Sequence, residues 1–310
     1  MPELPEVEVV RAGLAPAVSG AGVASVTVYD ERSLRRHAGP SEDFIDRLTG
    51  RRMLVPERRG KFLWIPLSPV VERPVVERVE TQPAHDIGEI STGSITEAIV
   101  IHLGMSGQVL LRDQSTDDAL TRIRLDLDTG YRLNFVDQRI FGSMAIDTMV
   151  PTADHPDQLV PSQVAHIARD LVDPLFDDRR FLATLKRKNT TIKRALLDQT
   201  LVSGIGNIYA DESLWGARIH YDQPTATLSR PRAVALLAEL RAVLAQALAE
   251  GGTSFDTQYL NVNGQSGYFA HSLKAYGQQG KPCPRCGTPM VREQFMNRGS
   301  HFCPRCQRLR

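Results

Sequence analysis

The chain of 310 residues contains no run of about 18 apolar residues, which excludes a typical membrane-spanning helix. Its acidic start lacks the apolar stretch of a secretory signal, so the cytoplasm is the expected location. Cysteine is scarce, with four in all, and that location disfavours their use as disulfides. Net charge is nearly absent too: 37 Lys and Arg stand against 36 Asp and Glu. No oligomerisation seam can be read, which leaves a monomer as the default. What remains is ordinary for a globular protein, 42% hydrophobic and 24% charged, and long enough for two domains with a small appendage.

The near-neutral total conceals strong asymmetry. Residues 179–194 carry seven Lys or Arg and no acid, and residues 274–310 carry eight against the single acid Glu293. Residues 66–97, by contrast, carry six acids and only Arg73 and Arg78. Two basic islands favour a polyanionic partner, because neutralising phosphates releases counterions; solvated charged faces are the plainer alternative.

Periodicity divides the chain. Pro5 to Val18 reads as a helix, with Pro5 in the first turn, Glu6 and Glu8 at the positive dipole end, and Val7, Val10 and Leu14 on one face. Val23, Val26 and Val28 alternate as a strand. A short helix is expected around Phe44–Leu48, then strands near Met53 and over Phe62–Leu67, separated by "ERRGK". The stretch 66–97, with its tandem "PVVERPVVER", reads as an acidic surface insertion. Strands resume at "AIVIHL", "QVLLR", "RIRLDLD" and "YRLNFV", the last two joined at "TG". The expected architecture is α+β and multidomain. Residues 1–150 form a two-sheet β-sandwich with flanking helices, 151–255 a helical domain, and 256–310 short strands around cysteine pairs.

Cys283, Cys286, Cys303 and Cys306 follow the spacing C-x2-C-x16-C-x2-C, in which two tight knuckles point four thiolates at one tetrahedral zinc ion. Four thiolates leave no position for water, so the zinc is structural. Arg298, at the expected hairpin tip "NRGSH", could grip phosphate or simply be solvated. In "LLDQTLVSGIGNIYADES", glycines permit tight turns before a helix starting near Asn207, whose free N–H groups would suit a phosphate. Asn207 could equally be an ordinary cap. Met105 in "HLGMSGQ" and Arg139 and Phe141 in "DQRIFGS" sit on short loops where they could wedge into a base stack, although core packing is the commoner fate of Met and Phe. Lys61 starts a strand after "RRG", where its plain reading is a solvated hairpin lysine. Pro2 would expose a secondary amine once Met1 is trimmed, with Glu3, Glu6 and Glu8 close by.

These stretches together resemble the bacterial formamidopyrimidine-DNA glycosylase family, which carries DNA-(apurinic or apyrimidinic site) lyase activity. "PELPEVE", "RRGK", "HLGMSG", "D-x-R-x-FG", "LLDQTLVSGIGNIYADE" and the terminal zinc finger keep the family's order along nearly the whole chain. The resemblance implies a helix-two-turn-helix motif, a zinc-ribbon hairpin, and double-stranded DNA with damaged bases or abasic sites as partner. It implies a nucleoid-associated repair enzyme excising oxidised purines, 8-oxoguanine and formamidopyrimidines. Pro2 would be the nucleophile, Glu3 the proton shuttle and Glu6 its support. Lys61 would contact the damaged nucleotide. Asn207 and Arg298, with help from Lys193, would pinch the phosphates, and Met105, Arg139 and Phe141 would fill the void. The segment "SFDTQYLNVNGQSGYF" resembles a lesion-capping loop. Departures are Gln138 and Ile140, where the family usually has proline and a second base, and Gln278 for arginine after Tyr276–Gly277. An oxidised-pyrimidine glycosylase of the endonuclease VIII type, or a non-catalytic DNA-binding relative, are the competing readings.

Overall fold

The computed structural model describes residues 2–69, 95–253, 262 and 267–310. Helix α1 (Leu4–Val18) has Pro5 in its first turn, where the missing N–H would find no intrahelical partner anyway. Glu3 and Glu6 form a reciprocal capping box there, the Glu3 N–H donating to Glu6 Oε2 at 2.8 Å. Val7, Val10, Leu14 and Val18 share one face and are buried.

Strands follow as β1 (Val23–Val28), β2 (Glu57–Arg59), β3 (Phe62–Pro66), β4 (Glu97–His102), β5 (Gly107–Asp113), β6 (Thr121–Leu127), β7 (Tyr131–Asp137), β8 (Ser143–Pro151) and β9 (Leu159–Pro161), with α2 (Ser41–Leu48) after β1. They build two antiparallel sheets, ordered β1-β6-β7-β5 and β2-β3-β4-β8-β9. Leu63, Ile65, Ile99, Ile101 and Ile146 of one sheet join Val109, Ile123, Leu125 and Phe135 of the other in a single core. The opposite face of β3 is covered as well: Phe62 and Trp64 pack with Val100, Val160 and Val164. Burial on both faces is why "FLWI" runs apolar without alternating.

Two expectations need correction. Met53 makes only an isolated bridge to Leu67, and "ERR" is itself strand β2, leaving Gly60 and Lys61 as the turn. A charged run can lie in the sheet because Arg58 is neutralised by Glu8 at 2.9 Å and Asp170 at 2.7 Å. Strands β8 and β9 were also unforeseen, since Met144–Ile146 is too short a run to stand out. Residues 70–94 of the acidic insertion lie outside the described residues. Its flanks sit on adjacent rungs, Pro66 opposite Ala98, with the Leu67 N–H donating to Glu97 O at 2.9 Å.

Helices α3 (Asp178–Arg187), α4 (Ile192–Leu197), α5 (Asn207–Gly216) and α6 (Arg230–Ala249) surround a second core. Gly251 and Gly252 end α6 at φ of +75° and +81°, a left-handed exit suited to glycine. The hairpin β10 (Val291–Phe295) and β11 (Arg298–Phe302) contributes Phe295 and Phe302 to this same core. So does Leu4, from the far end of the sequence.

Candidate active site

The loop "SGIG" between α4 and α5 is a seat for the start of the chain. The Leu4 N–H donates to Gly204 O at 3.0 Å, and a Cβ on Gly204, whose φ is +86°, would fall 2.6 Å from Leu4 Cβ. The Glu3 carboxylate accepts the N–H groups of Gly206 at 2.6 Å, Ile208 at 3.0 Å and Tyr209 at 3.4 Å. This corrects the expectation of free donors at the start of α5. The anion satisfying that helix end is the protein's own Glu3, because the dipole and unpaired N–H groups favour any carboxylate within reach. Glu6 is held as firmly: its Oε1 accepts the Tyr209 hydroxyl at 2.5 Å, and the N–H and Oγ1 of Thr253 each at 2.8 Å.

Burial raises the pKa of Glu3, opposed by the charge of Lys61. Burial likewise lowers that of Lys61, opposed by Glu3. Each of the pair is thus driven toward its neutral form by desolvation and toward its charged form by the other. Lys61 lines an open cleft of about 550 Å³ together with His102, Arg194, Met296 and Arg298. Pro2, the residue before Glu3, is buried.

Arg298, exposed at the start of β11, lowers the pKa of Lys61 further by like charge. The Asn207 Nδ2 donates to Gly299 O at 3.1 Å, so Asn207 and Arg298 are brought to one place by the hairpin. Lys193 does not join them. It is fully buried, its Nζ donating to Asp211 Oδ1 at 2.6 Å, Ser300 Oγ at 3.0 Å and Gly299 O at 3.3 Å, with Phe295 across it at 4.9 Å. An ammonium with its three protons so committed has none for a phosphate. Lys193 is a strut between α4, α5 and the hairpin.

Met105 and Phe141 are 40% and 43% exposed, not in the core, and the Arg139 guanidinium lies over the Phe141 ring at 4.8 Å. Their two loops are locked together by the buried Asp137, which accepts Ser106 Oγ at 2.5 Å, Arg139 N–H at 3.0 Å and Gly142 N–H at 2.6 Å. Gly104, at φ +63°, admits a close crossing, since a Cβ there would lie 2.3 Å from the Phe141 carbonyl carbon. Ile140 takes φ +55°, a costly conformation for a β-branched residue, and Arg35 Nη1 donates to its carbonyl at 2.8 Å. Of the expected capping loop, residues 254–261 and 263–266 lie outside the described residues. Its base is closed by a bridge between Thr253 and Tyr268.

Several functional groups escaped the sequence reading. His102 was one: its Nδ1 accepts the Gly104 N–H at 3.1 Å, which puts the ring proton on Nε2. Burial first, then Arg36, Arg35 and Lys61, lower its pKa to about 4, so the ring is a neutral donor in the cleft. Asp211 and Glu212 were quoted within a motif but given no role. Asp211 anchors Lys193, Ser300 and the His301 N–H, and Glu212 accepts the N–H groups of Lys274, Ala275 and Tyr276 at 2.7–2.9 Å. Adjacent acids in an otherwise apolar helix were the available signal.

The sulfurs of the four cysteines all lie within 4.8 Å of one another. The Cys286–Cys303 and Cys286–Cys306 separations are 3.5 Å, far beyond a disulfide and near the roughly 3.8 Å edge of a tetrahedron with metal–sulfur bonds of about 2.3 Å. The donor set fits one structural zinc ion, which Cys283, Cys286, Cys303 and Cys306 hold.

Family models bear this out along the chain. The formamidopyrimidine-DNA glycosylase N-terminal domain matches residues 1–144, the H2TH domain of that enzyme residues 167–259, and the zinc finger found in FPG and IleRS residues 280–309. A formamidopyrimidine-DNA glycosylase of Leifsonia xyli is 59% identical, with all of both chains covered, and one of Streptomyces avermitilis is 51% identical over 99% of this chain and 98% of its own. Among solved structures, the MutM (Fpg) protein of Thermus thermophilus aligns over 100% of both chains with TM-score 0.77 and 32% identity. Lactococcus lactis Fpg bound to DNA containing an abasic site aligns over 99% of both with TM-score 0.77 and 26% identity. With its N-terminus seated on α5, its interlocked loops and its four-thiolate hairpin, the chain belongs to the formamidopyrimidine-DNA glycosylase family.

Proposed function

We propose that the cleft receives an oxidised purine nucleotide extruded from duplex DNA, and that Pro2 is the group that attacks it. The enzyme is a bifunctional DNA glycosylase and AP lyase of base-excision repair. The observation that carries the reading is the burial of Pro2 beside Glu3, which is bonded to the start of α5 and faces the charge of the cleft lysine Lys61. An α-amine has a reference pKa of about 8, against about 10.4 for a lysine, so far more of it is unprotonated near neutrality. The Pro2 nitrogen pair bonds to the deoxyribose C1′ while the bond from C1′ to the base breaks and the base leaves with its electron pair. Glu3, whose pKa is raised by burial, supplies a proton to the ring oxygen as the sugar opens. The resulting cationic iminium draws electrons from C2′, and successive β- and δ-elimination expel the 3′ and 5′ phosphates.

The remaining residues have positioning roles. Lys61, Arg298 and the His102 Nε2–H grip phosphates next to the lesion, with Asn207 held alongside by Gly299. Met105, Arg139 and Phe141 occupy the gap left by the extruded nucleotide, with Arg139 toward the orphaned base. The enzyme acts as a monomer on the nucleoid. Borohydride added during reaction with an abasic duplex tests the central step. It yields a covalent protein–DNA adduct with the native chain and none with Pro2→Gly; an undiminished adduct in that variant overturns the assignment of Pro2.

A further inference from the structure

Away from the cleft, α3 and the turn between α5 and α6 enclose a second cavity of about 370 Å³. Its floor is Leu182, Leu185, Leu228 and Ala233, with the exposed Ala183 at its edge, and its rim is Arg179, Lys186 and Arg230, with no acid in the lining. The arrangement follows from helical spacing. Arg179, Leu182, Ala183 and Lys186 stand at i, i+3, i+4 and i+7, so one face of α3 has an apolar middle and a cation at each end.

The three rim cations are exposed, and among the described residues their charged heads are in no ion pair or hydrogen bond. Nearby acids are already committed: Asp178 is bound by Arg241 at 2.5 and 2.8 Å, and Asp177 caps α3 by accepting the N–H groups of Arg179 and Arg180. The cavity shares no lining residue with the cleft. Its volume lies in the range of about 300–1,000 Å³ typical of sites that enclose a small organic group.

We propose that this cavity is a docking site for an acidic segment of a partner protein. The segment inserts a large apolar side chain between α3 and α6, while its carboxylates pair with Arg179, Lys186 and Arg230. Charge complementarity selects this occupant. A DNA backbone would satisfy the three cations but leave the apolar floor unfilled, and a wholly apolar partner would bury the cations unpaired. An acidic peptide with an aromatic anchor satisfies both parts at once.

Fluorescence anisotropy of a labelled synthetic peptide, acidic throughout and ending in two phenylalanines, reads the interaction with the zinc-loaded full chain. Saturable binding is expected, weakened about tenfold in Lys186→Glu/Arg230→Glu. It should weaken similarly in Ala183→Trp, which crowds the mouth of the cavity without altering charge. The same peptide with alanines for the phenylalanines should bind less tightly and be insensitive to Ala183→Trp. Both variants should still excise lesions from a duplex at the native rate, which also certifies their folding. The proposal falls if binding is absent, if it ignores both variants, or if the two peptides bind alike. It falls equally if excision is lost, or if the charge-reversed variant loses affinity for undamaged duplex and that duplex displaces the peptide, because the face then belongs to DNA.

Discussion

Gly206→Ala isolates the contact on which the candidate site rests. Gly206 has φ −126° and ψ −158°, extended backbone that alanine adopts freely, so the change brings no backbone strain. Its new Cβ would stand 2.3 Å from both Cδ and Oε1 of Glu3, a separation real Cβ atoms do not show. The carboxylate must leave the end of α5 and forfeit its bonds from Gly206 at 2.6 Å and Ile208 at 3.0 Å. Hydrogen bonds to a charged group contribute about 1.5–3 kcal/mol each, and part returns when the displaced carboxylate meets water. A net loss of about 2–4 kcal/mol in stability is expected. In a Glu3→Ala background the added methyl meets no carboxylate, and its cost should drop below about 0.5 kcal/mol. The coupling between the two substitutions is then roughly 1.5–4 kcal/mol, measurable by urea denaturation of the four proteins. Equal costs of Gly206→Ala in both backgrounds would refute the claim that Glu3 is fixed by this helix end.

Two further outcomes test other parts of the site. His102, with its pKa lowered to about 4 by burial and three neighbouring cations, binds its proton less readily in the folded than in the unfolded chain, whose reference is 6.5. Its contribution to stability is therefore complete above pH 6.5 and lost as pH falls toward 4, and His102→Asn should flatten that decline. A ring titrating near 6.5 by NMR would contradict the neutral-donor assignment. Removing zinc with a chelator should release one ion per chain, loosen the hairpin that carries Arg298, and abolish duplex binding; retained affinity in the metal-free protein would separate the hairpin from DNA grip.

Much of this was legible because some constraints are local. The spacing of Cys283, Cys286, Cys303 and Cys306 dictates a chelate whatever surrounds it, and the apolar face of α1 follows from period alone. The exposure of Met105 and Phe141 could be anticipated only through a family resemblance, because composition cannot distinguish a loop tip from a core. Lys193 was misjudged for a related reason. It lies in a run of cations that reads as one solvated face, yet only Arg194 beside it is exposed, while Lys193 shares the buried side of α4 and meets Asp211 from α5. The partner that decides a lysine's fate is remote in sequence. Asp211 and Glu212 were overlooked on the same ground, since their acceptors are filled by backbone N–H and side-chain groups some 60–90 positions onward.

A buried, ordered start of the chain works against the general tendency of termini to fray, and the opening residues meet this difficulty by belonging to two cores at once. Leu4 is packed with Ile205, Ile208 and Tyr209 of the helical part, whereas Val7, one turn later, is packed in the sandwich. Fully burying such side chains contributes about 1.5–3 kcal/mol each, enough to offset the entropy of ordering the two or three residues ahead of them. Between those two anchors, Glu6 ties α1 to Tyr209 and Thr253, and Glu3 closes the end of α5. Pro2 is therefore aimed by the seam between the sandwich and the helices and not by any local turn of its own. Lys61 belongs to the same seam, since the Gly60 before it donates its N–H to Asp170 at 2.9 Å and lies against Ser203, so substitutions that shift the seam should displace Lys61 together with Pro2 and lower lesion excision and duplex affinity together.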